Sequence, residues 1–198
     1  MAIPRRDFLK VASVTGFAPA TIPAIILAAG ASRRLGRPKQ LVLHQGETLL
    51  RRAVAAASAC APVVVVTGCG SEAMAAELAG LGVEVVFNPR WEEGMASSIR
   101  AGVKALPPGV PGALFLVCDQ PAVDAALVAK LLAAWKGEPV ACAYGGVRGI
   151  PAILPARVFP GLLALEGDRG ARGFLQGEDV VEVPFEQGAW DVDEPGDL

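Results

Sequence analysis

Histidine is nearly absent from this chain: His44 is the only one in 198 residues. That excludes a multi-histidine metal centre, and a single histidine is ordinarily structural. The four cysteines, Cys60, Cys69, Cys118 and Cys142, have no CxxC spacing. Cys118 and Cys142 lie in apolar, strand-like runs and read as small core hydrophobes. Positive charge is not in excess either. The net charge is −2, whereas a nucleic-acid binder usually shows a basic balance or patch. Neither GxGxxG nor a Walker GK[ST] is present, and no internal repeat or low-complexity linker is visible. With 53% apolar residues, the chain can fill a core and suits one sizeable domain.

Residues 1–20 differ from the rest. "RRDFLK" (5–10) matches a twin-arginine export signal, a mildly apolar stretch follows, and Ala18-Pro19-Ala20 offers a cleavage site. No charge occurs from Val11 to Ser32, a length that mimics a membrane span. No stable span is expected, because Gly16, Pro19, Pro23 and Gly30 punctuate the stretch and its second half belongs to a strand and loop. Two readings stay open, an export leader or an extension of an intracellular enzyme. The domain proper is expected over 22–198.

From there the periodicity alternates. Ile22 to Ala28, "PVVVVTG" (62–68), "VEVVFN" (83–88) and "ALFLVCD" (113–119) read as buried strands. Glu47 to Ala59, a segment capped by Ser71 and running to about Leu78, Met95 to Leu106, and Val123 to Trp135 read as helices. "PVACAYGG", "PAILP" and "VVEVP" are later strands. The alternation predicts a mostly parallel central sheet with helices on both faces. Ligands of such folds sit beyond the carboxyl ends of the strands, where Gly30, Thr67, Asn88 and Asp119 fall.

The first strand opens into "AAGASRRLGRPKQL", a small-residue loop with four cations, Arg33, Arg34, Arg37 and Lys39. Ala28, Ala29, Gly30 and Ala31 carry almost no side chain, so a polyphosphate could approach their N–H groups closely. Arg34 and Lys39 would neutralise it; at about 4 Å a charge pair is worth roughly 4 kcal/mol at an effective dielectric near 20. A solvated basic turn is the plainer alternative. Asp119, at a strand's carboxyl end, either holds Mg2+ on phosphates or caps the helix that follows. Asp191 and Asp193 in "DVDEP" supply further carboxylates, or form an acidic tail.

These residues carry a resemblance. "LAAGASRRLGRPKQL" is similar to the LAAGxSxRMGxxKxL signature of nucleotidyltransferases that act on molybdenum cofactor. "NPRWEEGMASSIRAGV" (88–103), "CDQP" (118–121), "GIPAIL" (149–154), "GDRGAR" (167–172) and "DVDEPGDL" (191–198) follow in order. The set most resembles the molybdenum cofactor cytidylyltransferase family; guanylyl-transferring relatives usually read LAGG where this chain has Leu27-Ala28-Ala29-Gly30. Leu35 stands where methionine is usual, Ile150 where histidine is frequent, and "DEPGD" where DTPED is usual.

The resemblance implies a single-domain, Rossmann-like nucleotidyltransferase fold and transfer of CMP from CTP to a molybdopterin-type acceptor, with release of pyrophosphate. It implies that Lys39, Arg34 and Asp119 are catalytic. Leu27, Ala28, Ala29, Gly30, Thr67 and Gly68 join Lys39 and Asp119 in binding nucleotide, with Thr67 and Gly68 beside the cytosine. Asn88, Gly94, Met95, Ser97 and Ser98 bind the acceptor, its phosphate on the N–H groups that open a helix; Trp91 and Met95 either wall the pterin or pack on the core. Asp119 and Asp193 hold Mg2+. A molybdoenzyme is the implied recipient, and the need for CTP favours the cytoplasm. A guanylyl or sugar nucleotidyltransferase of the same fold, or a cofactor-binding chaperone, are the alternatives.

Overall fold

The computed structural model describes residues 21–194, 196 and 197; the twin-arginine-like stretch, residues 1–20, lies outside them. The apolar runs build the centre of the sheet. β1 (Ala24–Ala28) is buried at all five positions. It lies between β4 (Val63–Thr67) and β6 (Gly112–Val117), parallel to both, with Ile26 opposite Val65 and Leu116. The pleat sends Ala24, Ile26 and Ala28 to one face and Ile25 and Leu27 to the other.

Each face is covered by helices. On the first lie α1 (Leu49–Ala56), α2 (Ser71–Leu78) and α4 (Ala125–Ala134), which bury Leu50, Met74 and Leu131. On the second lie α3 (Met95–Ala105) and α5 (Phe159–Leu163), which bury Ile99, Val103 and Leu162. Each such side chain contributes about 1.5–3 kcal/mol of burial. α3 approaches β1 closely because Gly102 has no side chain; a Cβ there would come within 2.6 Å of Ile25 Cγ2.

The full sheet has seven strands in the order β5-β4-β1-β6-β8-β7-β9, where β5 is Glu84–Phe87, β7 Val140–Tyr144, β8 Val147–Pro155 and β9 Val181–Pro184. β8 is antiparallel to β6 and β7, and β9 is parallel to β7. Six strands therefore run one way and one opposes them, so the sheet is mostly parallel, as its alternating pattern predicts.

Three local expectations change. Glu47 and Thr48 do not begin a helix; they form β3, which pairs with β2 (Leu43–His44) around Gln45-Gly46, both at positive φ. The helix starts at Leu49, with Thr48 Oγ1 accepting from the Arg51 N–H at 3.2 Å. Ser71 is the first residue of α2 rather than its cap, which is Gly70 at φ +73°. β8 begins at Val147, four residues before "PAILP", because Gly145 and Gly146, also at positive φ, make a tight hairpin with β7. Among the described residues no helix is long and apolar enough to cross a membrane.

Candidate active site

The carboxyl ends of β1, β4, β5 and β6 lie side by side, so the loops that follow them share one edge of the sheet. The β1 loop is drawn tight. A turn closes on the Ser32 carbonyl, which accepts from the Leu35 and Gly36 N–H groups at 3.1 and 3.2 Å. A short 3-10 turn, Lys39–Leu41, then brings Lys39 back toward the sheet. Its N–H donates to Ser32 Oγ at 3.0 Å.

Lys39 Nζ donates to Asp119 Oδ2 at 2.5 Å and to Asp193 Oδ1 at 3.0 Å. Arg34 Nη2 donates to Asp193 Oδ2 at 2.6 Å. Loops after β1, after β6 and after β9 thus meet on one ammonium. Burial pulls the Lys39 pKa down, but Asp119 and Asp193 outweigh it and hold the pKa above the ordinary lysine value. Asp119 has no helix to cap: α4 is capped by Asp124, whose Oδ1 accepts from the Leu127 N–H at 2.8 Å. Next to it, burial foremost and then the Asp119 charge push the Cys118 thiol up to about 12, so it stays protonated and inert.

The segment carrying Asp193 is fastened at several points. The Val192 N–H donates to the Asp119 carbonyl at 2.8 Å, and the Val192 side chain is buried against Leu35, Val42 and Leu49. Asp197 Oδ2 accepts from the N–H groups of Asp193 and Glu194 at 2.8 and 2.7 Å, and these bonds lower the Asp197 pKa below the usual carboxylate value. Trp190 donates from Nε1 to the Asp197 carbonyl at 2.9 Å and meets His44 edge-on, 5.5 Å between ring centroids. Asp191 joins the same acidic group. Burial first, then Asp119 and Asp193, raise its pKa.

The residues expected near the base are turned inward. Thr67 is fully buried and its hydroxyl lies 2.8 Å from Ser71 Oγ. The Thr67 carbonyl accepts from the Asn88 N–H, and the Gly68 carbonyl from the Ser71 N–H. The Thr67 hydroxyl is thus engaged inside the fold, so any contact of this pair with cytosine falls to their backbone groups. Gly68 is needed for space: a Cβ there would sit 2.7 Å from the Ala29 carbonyl oxygen and from Trp91. Gly68, Gly70 and Ala73 also form a GxGxxA pattern between strand and helix. Trp91 packs over its first glycine, so Gly68 is required there for packing.

The residues expected to hold the acceptor are brought together. Asn88 Nδ2 donates to Ser97 Oγ at 2.8 Å and Ser98 Oγ at 3.1 Å, and Ser97 Oγ donates to the Gly94 carbonyl. All three side chains are buried. Gly94, at φ +102°, packs against Gly167 and Asp168, and the Gly167 carbonyl accepts the Ala96 N–H at 3.0 Å. With the Ser97 N–H also taken, by the Gly94 carbonyl, two of the first amides of α3, those of Ala96 and Ser97, already have partners within the fold. Asn88, Ser97 and Ser98 brace this loop, and Met95, 44% exposed, is the side chain it presents to solvent.

Sequence reading passed over Gln40. It is 1% exposed, and its Nε2 donates to the Ala28 and Gly30 carbonyls, each at 2.8 Å. The signal available was its place beside an apolar return onto the loop.

The model of the MobA-like NTP transferase domain matches residues 24–183, most of the chain and all but the last residue of the seven-stranded sheet. The chain belongs to this family. Among curated relatives of this NTP transferase is nicotine blue oxidoreductase of Paenarthrobacter nicotinovorans, 32% identical over 188 residues, covering 87% of this chain and 92% of the relative. The crystal structure of Rv0371c from Mycobacterium tuberculosis superposes with a TM-score of 0.76 at 29% identity, covering 90% and 95% of the two chains. A manganese complex of Rv0371c superposes at 0.74 with 27% identity, covering 89% and 95%. The MobA-like assignment agrees with the resemblance carried by the six motifs and with the single nucleotidyltransferase unit they imply.

Proposed function

We propose that this nucleotidyltransferase moves CMP from CTP to a molybdopterin-type acceptor. The carrying observation is the convergence of Lys39, Asp119 and Asp193 at the mouth of a loop almost without side chains. An acceptor phosphate oxygen forms the new bond to the α-phosphorus, the α–β bridging bond breaks, and the electron pair leaves with pyrophosphate. Little covalent work falls to the protein, which aligns the two phosphates and neutralises charge. Lys39 and Arg34 offset the negative charge that grows on the departing pyrophosphate. The backbone of Leu27, Ala28, Ala29 and Gly30 lies against the triphosphate, and Gly94 and Met95 form the acceptor side, set by Asn88, Ser97 and Ser98.

A divalent ion fits the donor set. Among the described residues no three His, Cys, Asp or Glu side chains form a metal cage, yet Asp119 and Asp193 already share one cation, the Lys39 ammonium. Two carboxylates completed by phosphate oxygens and water are what Mg2+ ordinarily uses, and the manganese complex of Rv0371c is in keeping with this. Asp119 and Asp193 would hold Mg2+, which supplies charge neutralisation across the reacting phosphates.

The molybdopterin acceptor rests on the ordered motifs, and CTP rests on Ala29, where guanylyl-transferring relatives usually carry glycine. A molybdoenzyme that receives the finished dinucleotide, and a cytoplasmic site where CTP is available, follow from the same reading. The test is a nucleotide panel: purified protein, molybdopterin acceptor and Mg2+, with pyrophosphate release measured for CTP, GTP, ATP and UTP. CTP is expected to dominate. Preference for GTP overturns the cytidylyl reading, and absence of release with every nucleotide overturns the transferase reading.

A further inference from the structure

We propose that Gln40 is the positioning residue of the polyphosphate loop, holding two backbone N–H groups ready for a triphosphate. This rests on the reading of that loop given above. One carboxamide donates both of its hydrogens, to the Ala28 and the Gly30 carbonyls, each at 2.8 Å. In a trans peptide the N–H points opposite the C=O of the same unit. Fixing those carbonyls therefore fixes the N–H groups of Ala29 and Ala31, and both point away from Gln40. Gln40 is 1% exposed and Ala29 5%, whereas Gly30 is exposed and Ala31 half-buried, so away from Gln40 the loop opens from Ala29 toward Gly30 and Ala31. The intervening Ala29 carbonyl is held separately, by the Cys69 N–H at 3.1 Å. Three successive carbonyls are thus tied down, while the N–H groups of Ala29, Gly30 and Ala31 donate to no other backbone group among the described residues.

The arrangement needs this side chain. Both acceptors are carbonyl oxygens, so the partner must donate twice, as the Gln40 carboxamide does from Nε2. Leucine and methionine donate nothing, and an ionised glutamate would face the carbonyls with its own negative charge. Gln40 also follows Lys39 on the same 3-10 turn, so one turn sets both the cation and the amides. A loop arranged in advance spares its ligand the ordering cost. The gain falls on ligands with enough phosphates to reach the amides, so Gln40 sets the preference for triphosphate over monophosphate.

The experiment is calorimetric titration of the full-length protein with CTP, CMP and inorganic tripolyphosphate in Mg2+, on wild type, Gln40→Leu and Gln40→Glu, with melting curves for each. Gln40→Leu is expected to weaken CTP and tripolyphosphate by roughly ten- to hundredfold and CMP by less than about threefold, from the loss of two loop-ordering bonds. Gln40→Glu should be as poor at alkaline pH. Relative to wild type at the same pH, it should recover in part as the solution is made mildly acidic, because the protonated carboxyl gains one hydrogen and can restore one of the two bonds. Equal weakening of all three ligands, or an unmoved triphosphate preference, overturns the positioning role. So does loss of folding in both variants, which would make Gln40 a core support only. A wild type that binds neither CTP nor tripolyphosphate instead overturns the polyphosphate reading beneath it.

Discussion

Lys39 Nζ stands 2.5 Å from Asp119 Oδ2, although eighty positions separate the two residues in the chain. Their side chains are 18% and 19% exposed, enough shelter for the charges to act at short range and enough opening for a ligand to enter. Asp119→Asn should leave the fold intact, since the residue caps no helix, and should lower turnover on the order of a hundredfold or more. Pyrophosphate release at near wild-type rate, from a protein with an unchanged circular dichroism spectrum, would remove Asp119 from the mechanism.

Lys39→Ala should raise the nucleotide KM and lower kcat together, because the ammonium meets phosphates whose charge increases as the reaction proceeds. Lys39→Arg should restore little, since a planar guanidinium cannot sit between two carboxylates as a compact ammonium does. Steady-state kinetics on both variants decide the point. Unchanged constants in the alanine variant would return the loop to a solvated turn.

Asp191 bears on stability against pH. Its folded pKa is raised above 3.8 by burial and by Asp119 and Asp193, so its charged form is disfavoured in the folded state. Between the unfolded pKa and the raised folded value the folded protein binds the extra proton. Stability therefore falls as pH rises through that window, and the cost is complete above it. Asp191→Asn should then melt higher than wild type at neutral pH, by less than about 1 kcal/mol given the exposure of the site. The gain should vanish below the unfolded carboxylate pKa. An equal gain at both pH values would point to packing rather than charge.

Removing residues 1–20 should leave a folded and active transferase. The first strand begins at Ala24, and the site residues all follow it. Solubility, a melting curve and pyrophosphate release test this directly; an inactive or insoluble truncation would make the segment part of the fold.

What could be foreseen divides by the range of the cause. β1, β4 and β6 were legible because a short run of buried apolar residues has few other solutions in an alternating chain. Lys39, Asp119 and Asp193 were singled out through motif and strand-end position, and the fold brings their side chains together. The β7–β8 hairpin was missed because Gly145-Gly146 reads as a loop until the flanking strands are known to pair. Thr67 looked like a ligand-facing residue, but which way a strand-end hydroxyl turns depends on Ser71, set by the following helix. Gln40 and Asp197 were missed for a related reason: each acts on backbone groups, whose positions the sequence shows only indirectly.

Gly102 sets a spacing. It lets α3 rest on Ile25 of β1, and each of these elements leads to one half of the reaction. β1 runs into the loop assigned to the nucleotide, and the start of α3 carries the residues assigned to the acceptor. The gap between attacking oxygen and phosphorus is thus gauged by an absent methyl group, about two helical turns along from the start of α3. Adding one carbon at position 102 would push the two loops apart like a shim under one jaw of a vice. A displacement of about 1 Å between aligned reactants can cost on the order of a hundredfold in rate, with both binding loops themselves unaltered.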